Sequence, residues 1–337
     1  MRNRKILFGI IISIILILLI FNVFKVKSNK NLLIISTPNN DNKIINYYTY
    51  DIISKNIKKI YSTNKTCYPT AVLSDDGKVL YFTKNDVNQY AQLFQRNLIT
   101  NEEKQLTTEK DNKIINVDFM KINYKNQLIY LRTVQKDHRN FSLSIYNIKT
   151  NELRILDKSE QDLSNQFFDF ANSSDSMLVL QNSEEEKFKA LDEANKTHNL
   201  NLYFSNKIIL KDAEGYNKKN YGIIKNEIVD VSMSPNSQAA IILTGEVVNL
   251  DEHKFKKQVL LINLNNDSKV ESILSTGECY KDIMKICFAT DGKGFYFVAS
   301  DTNIPCGVYY YNLKSKATSL VLKIDNEKII DCIETHK

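Results

Sequence analysis

The sequence predicts an all-β chain: a six-bladed β-propeller, with seven blades also open, closed by its C-terminal strand and preceded by one N-terminal transmembrane helix. Three observations predict this. A strand–turn–strand motif recurs along the chain, a second signature trails each copy, and one long apolar run stands near the start. Residues 1–5 read as a short cytoplasmic tail, 6–24 as the membrane span, 25–30 as a basic linker and 31–337 as the propeller domain.

The apolar run, Ile6 to Phe24, is interrupted only by Gly9, Ser13 and Asn22. Its 19 residues, at about 1.5 Å each, reach roughly 28 Å, enough to cross a bilayer core. A cleaved signal peptide is the alternative, with Val26-Lys27-Ser28 as a tolerable cleavage site, but its apolar region would usually span only about 7 to 15 residues. Three basic residues flank the span on each side, so the positive-inside comparison is level. A span that starts at residue 6 behind Arg-Asn-Arg-Lys reads as a signal anchor, which puts the propeller on the outer side of a plasma membrane. The Lys-, Asn- and Ile-rich composition suits a low-GC bacterial gene, hence a bacterial cell envelope.

Charge narrows the partners. The formal net charge is +6, and it resides in Arg2, Arg4, Lys5, Lys25, Lys27 and Lys30. The rest of the chain balances 39 basic with 39 acidic residues. A neutral body lacks the footprint that a phosphate backbone requires, so nucleic acid is set aside.

The recurring motif is "AVLSDDGKVLYFT" around Asp76, "MKINYKNQLIYLRT" around Asn126, "FANSSDSMLVLQN" around Asp175, "VSMSPNSQAAIILT" around Asn236 and "CFATDGKGFYFVAS" around Gly292. Each is a strand, a polar turn and a second strand. An apolar run ending in Asn and a polar turn follows each copy, at Asn97, Asn147, Asn206, Asn263 and Asn312, with steps of 50, 59, 57 and 49 residues. An earlier copy places Asp51 46 residues before Asn97. Dense Tyr, Ile, Val and Phe suit pleated strands, and the Asp-Gly and Asn-rich junctions suit tight hairpins. A four-stranded unit of about 50 residues is what a propeller blade requires. A β-sandwich with coincidental turn spacing is the bland alternative.

The first copy, "NLLIIST" at 31–37, lacks an inner strand, and "EKIIDCIE" at 327–334 is a strand without a blade. Joining them completes a blade and closes the ring, removing exposed sheet edges.

"MSPNSQAAIIL", "LSDDGKVLYF" and "ATDGKGFYF" resemble the repeats of TolB-like six-bladed propellers, also called WD40-like or PD40 repeats, over residues 31 to 335. Only Ser234-Pro235 keeps the Ser-Pro pair of that pattern. The resemblance implies non-enzymatic docking discs of the bacterial envelope. It extends to the lids of some serine peptidases, but the Gly-x-Ser-x-Gly elbow of such enzymes is absent here. With only nine Gly there is also no phosphate-cradling loop.

His138, His198 and His253 fall between the second and third strands of consecutive blades, on one face of the disc. A metal or catalytic cluster would use that arrangement, with Asp137, Asp251 or Glu252 beside them; ordinary solvated loop residues are the simpler reading. Five cysteines without Cys-x-x-Cys spacing imply neither a zinc knuckle nor a full disulfide framework. Cys287 and Cys332 fall on neighbouring inner strands, either as buried thiols or as a staple across the closure. Asp118, Asp169 and Asp230 read as occupying related places ahead of their repeats and are expected to shape turns or line a wet channel.

Two segments break the rhythm. "SEEEKFKALDEANK", 183–196, has a helical apolar face of Phe188, Leu191 and Ala194, and "KDAEGYNKKNYGIIKNE", 211–227, reads as a long polar connection to the fifth blade. Both are expected on the histidine face, offering Phe188, Tyr216 and Tyr221 as aromatic anchors. The function this implies is a membrane-anchored, non-catalytic protein-interaction module without cofactor or metal. The alternatives are a small-molecule or glycan binder, or a propeller hydrolase or lyase, with its site over the central channel.

Overall fold

The computed structural model describes residues 30–64, 68–157, 162–171, 176–198, 201–212, 214–249, 254–265, 269–277 and 279–335. The expected span at 6–24 lies outside them. Among the described residues no helix is long and apolar enough to cross a membrane.

Six four-stranded antiparallel blades form the ring. Blade 1 holds β1 (Asn31–Pro38), β2 (Ile44–Asp51) and β3 (Asn56–Asn64), and blade 2 holds β4 (Ala71–Leu73), β5 (Val79–Asn85), β6 (Ala91–Asn97) and β7 (Glu103–Gln105). Blade 3 holds β8 (Ile114–Asn123), β9 (Leu128–Gln135), β10 (Phe141–Asn147) and β11 (Glu152–Ile155). In blade 4 are β12 (Ser164–Phe170), β13 (Met177–Asn182), β14 (Asn206–Lys211) and β15 (Asn217–Ile224). Blade 5 has β16 (Glu227–Met233), β17 (Ala239–Asn249), β18 (Lys254–Asn263) and β19 (Val270–Ser275), and blade 6 has β20 (Tyr280–Phe288), β21 (Gly294–Asp301), β22 (Gly307–Asn312) and β23 (Thr318–Leu322). The last strand, β24 (Glu327–Thr335), pairs antiparallel with β1 and supplies the missing inner strand of blade 1. Blades 2 and 3 also share one parallel bridge, Ala91 to Asn116.

Local chemistry explains both repeat signatures. In the turn between first and second strands, Ser74 Oγ donates to Asp76 Oδ1 (2.8 Å) and accepts from Val79 N (2.9 Å), while Gly77 takes φ +66°. Blade 5 repeats this with Ser234, Asn236 and Ala239, and Ser237 at φ +61°. The Asn signature is an Asx turn between third and fourth strands, except that the expected blade 4 copy, Asn206, is instead the first residue of β14, and Asp212 makes that turn, its Oδ1 accepting from Glu214 N and Tyr216 N. Asn97 Oδ1 accepts from Ile99 N and Thr100 N, Asn147 Oδ1 from Lys149 N and Thr150 N, and Asn312 Oδ1 from Lys314 N and Ser315 N. Asp51 does the same for Ile53 N and Ser54 N.

The core lies in six wedges between neighbouring blades, which is why the middle strands read as continuous apolar runs. In β1, Leu33 and Ile35 pack toward blade 2 while Leu32 and Ile34 pack toward blade 6. In β17, Ala240 and Ile242 face blade 4, and Ile241 and Leu243 face blade 6. Segment 211–227 corrects the sequence reading: it is no loop but the end of β14, a tight turn, the outer strand β15 and the start of β16. Its polar run escapes a strand reading because an outermost strand is largely solvated.

Antiparallel order gives the disc two different faces. Tight first-to-second and third-to-fourth turns lie on one, the turn face. Longer second-to-third and blade-to-blade connections lie on the other, the loop face. The described chain begins on the turn face, where Lys30 O accepts from Ile52 N (3.0 Å) and Lys30 Nζ pairs with Asp291 (2.8 Å).

Closure is pinned on the loop side by Glu327. Its carboxylate accepts from Ser36 Oγ, Tyr48 OH and, at 3.0 Å, Asn46 Nδ2. Glu327→Ala strands these donors, so it should lower unfolding free energy by about 3 kcal/mol in urea titrations. An unchanged midpoint would mean that backbone pairing alone closes the ring.

Candidate functional site

Two regions compete as the site: the central channel and the loop face. The channel is built by register. Five inner strands carry a bulge at the corresponding place, at residues 117–119, 165–167, 228–230, 283–285 and 329–331. Just beyond it, Phe119, Phe167, Asp230, Lys285 and Asp331 occupy matching positions. Two residues further on, Lys121, Asp169, Ser232, Cys287 and Ile333, with Val72 of β4, line a cavity of about 60 Å³. It lies at the turn-face end of the inner strands and has room for a few water molecules.

The three acids singled out in the sequence therefore do not occupy related positions, which corrects that expectation. Asp118 is a bulge residue, Asp230 follows the bulge, and Asp169 is two places further on. They do stitch inner strands together. Asp169 Oδ2 accepts from Ser232 Oγ (2.8 Å) and Met233 N (2.9 Å) of the next blade, and Asp230 Oδ2 accepts from Ile286 N (3.0 Å) of the blade after. Ser232 Oγ in turn accepts from Phe288 N (3.0 Å). Asp118 Oδ1 accepts from Arg132 Nε (2.6 Å), and Arg132 donates on to Gln166 O. Inner strands of neighbouring blades diverge too far for a ladder, so carboxylates satisfy backbone N–H groups that would otherwise be buried unpaired.

Compensating charges share the channel. Lys121 Nζ stands 3.7 Å from Asp169 Oδ1, and Lys285 Nζ stands 3.9 Å from Asp230 Oδ1 and 5.5 Å from the Phe119 ring centroid. Burial disfavours the Lys121 ammonium, but Asp169 and then Asp230 outweigh it and hold it above the ordinary lysine range. Two cations against Asp169, Asp230 and Asp331 leave one carboxylate in excess. Burial pushes the Asp331 carboxyl up, against the pull of Lys285 and Lys121. Sequence reasoning missed Lys121, Lys285 and Asp331; the available signal was a lone charge inside an apolar inner strand, as in "FMKIN", "IMKICF" and "IIDCIE".

The buried cysteines are thiols. Cys287 and Cys332 are both free, and Cys287 Sγ accepts from Glu334 N across the closure (3.5 Å). Burial pushes the Cys287 thiol up to about 12 and Cys306 to about 11. Among the described residues no group of three or more His, Cys, Asp or Glu could hold a metal ion.

The loop face carries an insertion of different character. The helix Glu184–Thr197 lies between β13 and β14, N-capped by Ser183, whose Oγ accepts from Glu186 N, and ended by His198 in a left-handed conformation (φ +53°). Glu186 Oε1 accepts from Ser205 N and Oγ, tying the return of the loop to the first helical turn. Asn201 exchanges two hydrogen bonds with Val247 of blade 5 (2.9 and 2.6 Å). Arg139 of blade 3 lies over the Phe188 ring (5.6 Å). The insertion is thus tied to three blades.

The predicted site residues separate. His138 is exposed in the blade 3 loop beside Arg139, Phe188 is exposed on the helix, and His198 is exposed at its end. His253 lies outside the described residues. Tyr216, 73% exposed, sits in the β14–β15 turn and hence on the opposite face, because a third-to-fourth turn cannot reach the loop side. Tyr221 is no anchor: 9% exposed, it packs in the wedge between blades 4 and 5, and its OH donates to Leu264 O (2.9 Å). The structure adds exposed Leu191, Tyr203 and Val248 on the loop face.

Against known proteins, no family model matches the chain, and no curated protein does. Solved structures match in shape. TolB from Acinetobacter baumannii aligns at 9% identity over 91% of this chain and 67% of its own, with a TM-score of 0.61. The fold is TolB-like. The same TolB-like shape aligns with a chain of a nidogen/laminin complex (10% identity, 91% and 98% coverage, TM-score 0.58). Oligogalacturonate lyase from Vibrio parahaemolyticus also aligns with it (12%, 88% and 74%, 0.53).

Two predictions follow for the channel of this TolB-like ring. Lys121→Met leaves buried carboxylates unbalanced and should cost about 3 kcal/mol in urea unfolding. A carboxyl raised above its unfolded value of 3.8 weakens the fold once it ionises, so Asp331→Asn should raise Tm at neutral pH. That gain should vanish as pH falls below the unfolded value; a gain constant with pH would point to packing instead. For the thiols, a maleimide titration of native protein should leave Cys287, Cys306 and Cys332 unmodified while the exposed Cys279 reacts. Reaction of the buried three without denaturant would contradict a rigid closure.

Proposed function

We propose that this chain is a membrane-anchored, non-catalytic propeller of the bacterial envelope that binds a protein partner through its loop face. The observation that carries the reading is the insertion over blades 3 to 5. Side-chain bonds from Asn201, Glu186 and Arg139 hold it in place, yet Phe188, Leu191, Tyr203 and Val248 remain exposed. A rigid frame that leaves large apolar groups in water is the arrangement a docking surface needs.

Anchor geometry supports the same reading. With the span at 6–24, the chain joins the ring at Lys30 on the turn face, so the loop face points away from the bilayer. The fold alone does not decide between docking and catalysis, since a lyase shares it. Chemistry at the turn-face end of the channel is disfavoured by size and by use: the cavity there, about 60 Å³, admits water and no sugar ring, and Asp169 and Asp230 are engaged in holding strands together.

Site-specific photo-crosslinking in cells tests this, with the crosslinker at Phe188 or Leu191 and, as control, at Asn265 on the turn face. A reproducible partner from the first two positions, lost on Val248→Asp, is expected. Links only to the protein itself or to abundant bystanders would sink the docking reading and shift attention to ligand screens.

A further inference from the structure

The third-to-fourth turns place one residue of each blade at the rim of the turn face, two positions after the Asx residue. In blade order these are Ile53, Ile99, Lys149, Glu214, Asn265 and Lys314. The turn itself asks for nothing apolar there. Its needs are met by the Asx side chain and, four residues after it, by a left-handed residue: Lys55, Asn101, Asn151 and Lys316 have φ between +56° and +63°. Nonetheless Ile53 is 57% and Ile99 67% exposed. The two isoleucines are on adjacent blades, and the next tips on either side are Lys314 and Lys149. An apolar pair flanked by cations is the pattern of a surface that lies in a lipid interface.

The chain itself points to what covers this sector. Lys30 is bonded to the Ile52 amide of the Ile53 turn, and only residues 25–29 lie between it and the end of the expected span at Phe24. A linker of that length reaches at most about 20 Å, so blade 1 stays next to the membrane. The acids of the sector are mostly engaged: Asp291 with Lys30, Asp76 with Lys78, and Glu102 with Thr100 Oγ1. Asp75 and Glu152 are the remaining exposed carboxylates, against exposed Lys55, Lys149, Lys293 and Lys314.

We propose that the sector of the turn face formed by blades 6, 1, 2 and 3 rests on the anionic bilayer that carries the anchor. Ile53 and Ile99 enter the headgroup layer, and Lys149 and Lys314 pair with lipid phosphates on either side. This rests on the membrane-anchor reading. The disc is then tilted, with the Glu214 and Asn265 tips lifted from the surface and the helix platform presented outward at a fixed angle.

The test uses the full-length chain carrying Cys67→Ser and Cys279→Ser, with an environment-sensitive fluorophore on Ile53→Cys, Ile99→Cys or Asn265→Cys. The labelled protein is reconstituted in phosphatidylglycerol-rich vesicles. Carbonate-resistant flotation reads the anchor separately. Brominated lipid should quench the labels at 53 and 99 about threefold more than at 265, and less when phosphatidylcholine replaces phosphatidylglycerol. Lys149→Glu with Lys314→Glu should abolish that lipid preference. Equal quenching at all three sites with flotation intact overturns the docking while the anchor stands. A blue shift at 53 and 99 without quenching means that protein, a second copy or a partner, covers them, which also overturns it. Loss of flotation removes the anchor reading and this proposal together.

Discussion

Everything in this molecule depends on one pairing between chain ends. β24 lies against β1 over eight residue pairs, from Asn31 opposite Thr335 to Pro38 opposite Glu327, and so turns a row of blades into a ring. Without it, β1 would present an open edge, and the wedges on either side of blade 1 would lose a wall. Apart from the single parallel bridge between blades 2 and 3, the contacts between blades are packing or side-chain bonding across strands that do not form a ladder. The closure is also a costly contact to find, because it joins residues at opposite ends of the propeller.

The channel follows from that ring. Six inner strands converge with their edges turned inward, and their N–H groups need acceptors that a neighbouring strand is too far away to provide. Asp169, Asp230 and Ser232 supply them, and Lys121 and Lys285 balance the charge. A polar channel is therefore no evidence of catalysis here. Its acids have structural work, and the cavity at the turn-face end, beside Asp169, is small. The likeness to TolB, to a nidogen/laminin chain and to a lyase agrees with a scaffold whose channel and faces are free to serve different ends.

Room for variation moves outward in consequence. The second-to-third connection of blade 4 is the place where a helix could be inserted without disturbing a wedge, because it leaves and rejoins the sheet on the loop face. The opposite face is constrained by the tight Ser-Asp and Asx turns, leaving only the tips free to vary. Those tips are where Ile53 and Ile99 depart from what the turn requires.

The blade repeat, the Asx and Ser-Asp turns and the ring closure were legible in the sequence, because each depends on residues within a few positions of one another or on a simple count of strands. So were the helical insertion and the loop placement of His138 and His198. Tyr216 and Tyr221 were misread because "NKKNYG" has the composition of a loop; only packing against blade 5 makes β15 a strand and turns Tyr221 inward. The channel was hidden for a different reason. Lys121 and Lys285 share a Met-Lys-Ile setting, but Lys121 stands two residues before its turn at Asn123 and Lys285 four before its turn at Ala289, so they arrive at different depths. The sequence by itself determined the repeating unit, its number and the chemistry of its turns, since these are local hydrogen-bonding problems. Tertiary structure alone decided which charges meet and which face each loop occupies, since both depend on register between strands that are distant in the chain.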